Sequence, residues 1–316
     1  MKMAKEFFVK PASRMKGGVL VKDNKATFDL KPQSFKPKKV VIPLLQQCTK
    51  EADTTVQVGD HVKKGQLIGD SGKATARIHA SVSGTVTDIS KRKIAPKQKA
   101  VCVTIETDDK NEWLETLAPP SVTNADELID AAFEAGLAGM GGAGFPTHIK
   151  LRSAYAAKAK TLILNSIECE PYITVDYRAC VDYADDILRC VEALVTHIGF
   201  ERVLIAVEDK GPKADEDTLI EKMQNSPIKD IIRLVRLKPK YASGAEKMLI
   251  KALLNKSLPD GKLPSDASCM VMNTSTTAAF GYYLLTGRPL INRALTVAGS
   301  AIKEPVNIIA PVGTLI

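Results

Sequence analysis

Gly136-Leu137-Ala138-Gly139-Met140-Gly141-Gly142-Ala143-Gly144-Phe145-Pro146-Thr147-His148-Ile149-Lys150-Leu151 is the stretch on which the reading of this chain turns. It satisfies G-x-G-x-x-G at Gly139, Gly141 and Gly144, but its setting is wrong for a dinucleotide-binding loop of that pattern. Such a loop follows a strand directly. Here residues 125–135, just upstream, read as a helix with Asn124 as N-cap and Asp126 and Glu127 in the first turn. The anion-binding chemistry survives. Clustered glycines let main-chain N–H groups approach a phosphate with no Cβ in the way. A helix starting after Pro146 offers its N-terminal end, and Lys150 falls in or just beyond its first turn, where an ammonium adds a charge-assisted contact. A glycine-rich interdomain turn is the structural alternative for the same residues.

Downstream of this loop, apolar runs and helical periodicities alternate. Residues 149–158 read as helix, 161–165 as a buried strand, 183–198 as helix, 202–207 as strand, 213–224 as helix and 231–235 as strand. Helices over 244–254 and 276–285 close the series. This order implies an α/β layer with a largely parallel sheet. Residues 293–299 and 307–316 read as two strands around a turn, too little to stand alone.

Upstream, residues 1–40 read as irregular, broken by Gly17-Gly18 and repeated Pro-Lys pairs. Short β-type runs follow at 40–45, 56–60, 66–68, 76–80, 84–89 and 100–107, the spacing of a small β-sandwich or barrel. His61 and His79 read as turn residues there, and none of the histidines reads as a metal ligand.

Bulk properties narrow the function classes. The 316 residues suffice for two domains and the start of a third, and 45% hydrophobic content supports ordinary cores. No apolar run reaches the roughly 18–20 residues of a membrane span, and the start lacks the apolar run of a signal peptide. These features point to a cytoplasmic protein. The six cysteines include no C-x-x-C pair, so neither zinc nor an iron–sulfur cluster is written here. Residues 1–50 hold twelve Lys or Arg against three acids, more than the whole chain's net +8. Such an arm suits an acidic partner, an anionic membrane face or simple solubility. Sparse aromatics and the lack of a reader motif argue against nucleic acid.

Four separated motifs carry a family resemblance. In the front part, Val56-x-Val58-Gly59-Asp60-x-Val62-x-x-Gly65-Gln66-x-Ile68, followed by 79–86, resembles the barrel-sandwich hybrid of biotinyl and lipoyl carrier domains. Lys73 lies in a loop there but lacks a carrier lysine's flanks, so a docking role is expected rather than a swinging arm. The second motif is the glycine stretch above, and the third is Asn165-Ser166-Ile167-Glu168-Cys169-Glu170-Pro171-Tyr172-Ile173-Thr174-Val175-Asp176. The fourth is Tyr241-Ala242-Ser243-Gly244-Ala245-Glu246-Lys247, with Met272-Asn273-Thr274-Ser275-Thr276 after it. Together they resemble the RnfC family of Rnf electron-transport complexes, whose flavin core is shared with the NADH-oxidising flavoprotein of respiratory complex I. The resemblance also takes in relatives that serve soluble reductases such as proline reductase.

The resemblance implies three parts: a basic arm plus barrel-sandwich hybrid at 1–115, a Rossmann-like α/β domain for FMN and NADH at 116–290, and the start of a β-grasp (SLBB) segment at 291–316. It implies that Gly139, Gly141, Gly142, Gly144 and Lys150 surround the flavin phosphate and ribityl chain, with Asn165, Glu168, Glu170, Gly244, Asn273 and Thr276 completing the cofactor set. Phe145, Glu170 and Glu246 would meet NADH. No residue need act as acid or base, since hydride transfer belongs to the cofactors. Cys169 is expected to be packing. Partners would be other electron-transport subunits or a soluble reductase, with peripheral association at the inner face of the cell membrane.

Two departures matter. Where the family has Gln-His-Ile-Gly, this chain reads Gln46-Gln47-Cys48-Thr49-Lys50. The family's eight-cysteine segment for two 4Fe-4S clusters is absent from these residues. The competing expectation is a non-catalytic assembly protein that keeps the fold and only docks partners.

Overall fold

The computed structural model describes residues 3–13, 17–47, 50–238 and 240–315, and the chain resolves into two compact units. Cys48 and Thr49 of the departing stretch lie outside the described residues.

One unit comprises Gln33–Ile149, Tyr282–Leu295 and Ile308–Ile316. Its strands are β1 (Gln33–Ser34), β2 (Lys39–Pro43), β3 (Asp53–Thr54), β4 (His61–Val62), β5 (Leu67–Asp70), β6 (Ile78–His79), β7 (Gly84–Ala95) and β8 (Gln98–Thr107). Two antiparallel sheets form, in the orders β2-β8-β7-β4 and β3-β5-β6. Alternation decides which side chains turn inward. Val40 and Ile42 of β2 and Val86 of β7 are fully buried, and they share one core with Leu44, Ile68 and Ile105.

Helix α1 (Ala125–Glu134) begins where the sequence places it, with Asn124 accepting from the Glu127 amide at 3.0 Å. Lys73 does not stand out on a hairpin tip. Its ammonium pairs with Asp130 of α1 at 2.6 Å and lies over the Phe133 ring. His79, expected in a turn, is a strand residue, and His61 lies in β4.

The other unit comprises Met1–Pro32, Lys150–Gly281 and Thr296–Asn307. In chain order its elements are α2 (Thr147–Ala156, entering from residue 150), β9 (Thr161–Asn165), α3 (Val175–Asp182), α4 (Ala184–Ile198), β10 (Arg202–Glu208), α5 (Ala214–Gln224), β11 (Ile232–Leu237), α6 (Glu246–Leu254), β12 (Cys269–Asn273) and α7 (Thr274–Thr286). All three strand pairs are parallel, in the order β11-β10-β9-β12. β9, β10 and β12 read as near-continuous apolar runs because helices cover both faces of such a sheet.

The arm at residues 1–32 is not a loose extension. After a short 3-10 turn at Met3–Phe7, Phe8 bridges Leu234 in parallel, and the Val9 amide donates to the Leu234 carbonyl at 3.0 Å. Val19 bridges Tyr241 antiparallel. Lys25 pairs with Glu208 at 2.8 Å, both side chains nearly buried. Asn307, fully buried, donates to the carbonyls of Thr27 and Leu30. At the chain's far end β13 (Asn292–Val297) and β14 (Val306–Pro311) form a three-stranded sheet whose third member is β1, parallel to β14 through Gln33↔Ile308 and Ser34↔Ile309. The pair of tail strands thus gains a partner that lies far upstream in the chain.

Candidate functional site

The glycine stretch forms a closed-neck loop. The Gly139 amide donates to the Phe145 carbonyl at 2.8 Å and the Thr147 amide to the Leu137 carbonyl at 3.0 Å, with Ala138 bridging Pro146. Above this neck, Gly141, Gly142, Ala143 and Phe145 are exposed. Among the described residues none of the amides of 141–144 has a hydrogen-bond acceptor. Gly142 (φ +114°) and Gly144 (φ +58°) hold the left-handed conformations that bend the loop, which other residues take only with strain. A Cβ on Gly144 would also crowd the Gln46 carbonyl, so the stretch that departs from the family at 46–50 starts against this loop. Gln47 is buried, and its side-chain oxygen accepts from the Thr75 hydroxyl and the Ala76 amide. Arg293 donates to the Met140 carbonyl at 2.5 Å, fixing the start of the loop. Helix α2 begins at Thr147, directly after the loop, so its N-terminal end lies next to the free amides in the chain.

In the α/β unit the remaining predicted residues gather where the parallel strands end. Asn165 and Asn273 are the last residues of β9 and β12 and are register partners. Both side-chain amides are engaged. Asn165 donates to the Gly244 carbonyl at 2.9 Å and accepts from the Ile167 amide at 3.1 Å. Asn273 donates to Asp176 at 2.6 Å and caps α7 by accepting from the Thr276 amide at 3.1 Å. The Thr274 hydroxyl ties the two strand ends by donating to the Asn165 carbonyl at 3.0 Å. Gly244 passes so close to the Ile167 carbonyl that a Cβ there would stand 2.9 Å from it, so the turn accepts only glycine without moving.

The acids divide sharply. Glu168 is 6% exposed, and its two oxygens accept from the amides of Asp176 (2.8 Å) and Tyr177 (3.1 Å) at the start of α3. It is thus the cap of that helix, whose own N-cap residue Thr174 makes no side-chain capping bond. Burial, with the Asp176 carboxylate beside it, raises its pKa well above the carboxylate range. Glu170, two residues on, is exposed and has no partner among the described residues. Lys150 and Glu246 meet each other. The Lys150 ammonium donates to Glu246 at 2.8 Å and to the Val271 carbonyl at 2.9 Å, leaving one of its three N–H groups. Cys169 joins the apolar cluster under the sheet.

Sequence reasoning overlooked the role of Asp176. Its carboxylate collects the Asn273 amide, the Ser275 amide at 3.3 Å and the Ser275 hydroxyl at 2.5 Å, joining α3 to the start of α7. Its place as the last residue of the N-x-x-E-C-E-P-Y-I-T-x-D motif was the available signal. Among the described residues no group of His, Cys, Asp and Glu could hold a metal ion, and no helix is long and apolar enough to cross a membrane.

Comparison with known proteins fits this construction. Residues 132–281 match the family described as Nuo51 FMN-binding domain, and residues 13–110 match the RnfC barrel sandwich hybrid domain. A solved NAD+-reducing [NiFe]-hydrogenase in the H2-reduced state shares the fold, with a TM-score of 0.50 and 22% identity, covering 63% of this chain and 40% of that one. A barrel-sandwich hybrid joined to an FMN-binding α/β domain defines a class of electron-transport flavoprotein. The chain belongs to the RnfC family. It is 39% identical to the RnfC-type component of the proton-translocating ferredoxin:NAD(+) oxidoreductase complex of Clostridium ljungdahlii, over 95% of this chain and 66% of that protein. It is 34% identical to the counterpart in the Na(+)-translocating complex of Acetobacterium woodii, over 94% and 68%. The counterpart in the ion-translocating oxidoreductase complex of Vibrio cholerae matches at 36%, over 94% and 39%. The chain therefore spans between about two fifths and two thirds of these relatives' length.

Proposed function

We propose that this chain is the flavin-bearing, NADH-facing part of an Rnf-type electron-transfer assembly. The carrying observation is the loop at 141–144: amides without acceptors among the described residues, held by a closed neck at the start of a helix. That donor set fits the phosphate of FMN, a dianion that bare N–H groups and a helix N-terminus stabilise together. Gly141, Gly142 and Gly144 serve this phosphate, Gly139 closes the neck through its bond to the Phe145 carbonyl, and Lys150 has a remaining N–H to give. Asn165, Gly244, Asn273 and Thr276, which shape the strand-end turns of the α/β unit, are the remaining residues of the proposed cofactor set. Glu168 acts from behind, by fixing α3. Glu170, exposed and without a partner among the described residues, is the acid proposed to meet the nicotinamide nucleotide, together with Phe145 and Glu246.

Bound FMN supplies the conversion of a two-electron hydride into single electrons. The protein supplies position, main-chain dipoles and fixed charges. The single electrons pass to other members of an ion-translocating complex or to a soluble reductase. The test is an anaerobic absorbance spectrum. Protein reconstituted with FMN is expected to retain the yellow chromophore through gel filtration and to bleach on adding NADH. A preparation that releases all FMN on the column overturns the reading.

A further inference from the structure

The opposite end of the parallel sheet carries a feature that the flavin reading does not use. A groove of about 400 Å³ opens at the N-terminal ends of β9 and β10, with Lys10, Lys160, Arg202 and Lys256 around it and Leu253 and Leu254 in its wall. All of these residues belong to the α/β unit. Lys160 pairs with Glu201, and Lys256 donates to the Ala267 carbonyl. Among the described residues Lys10 and Arg202 have no acidic partner. With Lys160 balanced by Glu201, Lys10, Arg202 and Lys256 still leave the concavity net positive, and an anion sharing the site relieves their repulsion.

We propose that this groove receives an acidic, partly apolar segment of a partner protein. Two observations select that occupant over a phosphate compound. Phosphate sites gather free main-chain amides, but the amides here are spent. Those of Lys160 and Thr161 donate to the Ser268 carbonyl, and those of Glu201 and Arg202 to the Lys160 carbonyl. The lining mixes polar and hydrocarbon surface: half-buried Leu254, with Leu253 buried behind it, lies beside Thr161 and Ser268 within the cationic residues. Mixed polar and apolar surface with basic residues around it is the composition of a protein interface rather than of a phosphate cradle. Lys10 also gives the basic arm a specific task. The arm runs along the β11 edge through Phe8 and Val9, which sets Lys10 beside the groove. Electrostatic complementarity of this kind governs encounter rate and register more than final affinity.

The test uses the full chain and a fluorescein-labelled peptide of alternating Glu and Leu, followed by anisotropy. The peptide is expected to bind at about 50 mM NaCl and to be released by about 500 mM. The double variant Lys10→Glu with Arg202→Glu is expected to weaken it at least about tenfold, and a Lys–Leu peptide is expected not to bind. A far-ultraviolet circular dichroism spectrum equal to the parent's shows that the variant is folded. If the charge reversal impairs folding, Lys10→Gln with Arg202→Gln takes its place. No binding of the Glu–Leu peptide, or binding by the double variant equal to that of the parent, overturns the proposal. So does capture by tripolyphosphate or phosphatidylglycerol vesicles in place of the peptide. FMN binding does not involve these residues, so failure here leaves the flavin reading standing, and the reverse.

Discussion

Lys150, Glu168 and Glu170 show how three charged side chains of one motif set take different work. Lys150 already holds Glu246 and the Val271 carbonyl, so under the proposed reading its third N–H is the one left for a flavin phosphate. Charge-assisted bonds are worth about 1.5–3 kcal/mol. Lys150→Met is therefore expected to weaken FMN binding roughly tenfold to a hundredfold, read by quenching of FMN fluorescence. Glu170→Gln is expected to leave FMN affinity unchanged and raise the KM for NADH about tenfold. An unchanged KM removes Glu170 from the nucleotide's contacts. At this scale the sequence singled out these residues but did not show what each one touches. Glu168 and Glu170 stand two apart after a strand, and nothing local tells that the first turns inward to cap α3 while the second stays in water. Asp176 escaped notice because its three donors come from Asn273 and Ser275, nearly a hundred positions away.

Among the elements, those with strong local patterns were legible. Helices α4, α5 and α6 and strands β9, β10 and β11 fall within a few residues of the boundaries read from periodicity. Helix α3 was missed because it has eight residues and its cap arrives from Glu168 rather than from an adjacent Ser or Asp. The arm read as irregular because its pairings with Leu234 and Tyr241 are non-local. One packing contact is directly testable. In α7, Gly281 lies so close to α4 that an added Cβ would overlap the Asp186 carbonyl. Backbone cannot yield as a flexible side chain does, so Gly281→Ala is expected to destabilise by about 1–3 kcal/mol, the usual range of overpacking costs. Urea denaturation measures this. A loss below a few tenths of a kcal/mol would mean that the two helices separate freely.

Across the whole molecule, buried titrating groups give the two units opposite acid responses. In the barrel-sandwich unit burial, with Arg77 nearby, pushes His79 down to about 3 from 6.5. Between those values the unfolded chain takes up a proton that the folded unit refuses, so stability falls as pH drops through that range. In the α/β unit burial, with Glu216 adjacent, raises Asp215 to about 6 from 3.8. There the folded form holds the proton longer, so this contribution falls as pH rises between 3.8 and 6. Each slope approaches about 1.4 kcal/mol per pH unit. Hydrogen exchange read by mass spectrometry on each unit's own peptides, from about pH 4 to about 6, is expected to show protection rising with pH around His79 relative to a His79→Phe variant. Around Asp215 it is expected to fall relative to Asp215→Asn. Parallel slopes in both variants and parent would exclude these groups as the source.

The order β11-β10-β9-β12 has a consequence for biosynthesis. A ribosome releases β9 early, yet the neighbour that covers one of its edges is the last strand of that sheet to emerge. The bond from Thr274 back to Asn165 spans 109 positions. Throughout that interval the nascent chain carries an apolar strand with one side open, the kind of edge that recruits other chains. A premature stop codon before residue 269 should therefore yield inclusion bodies rather than a soluble, colourless protein.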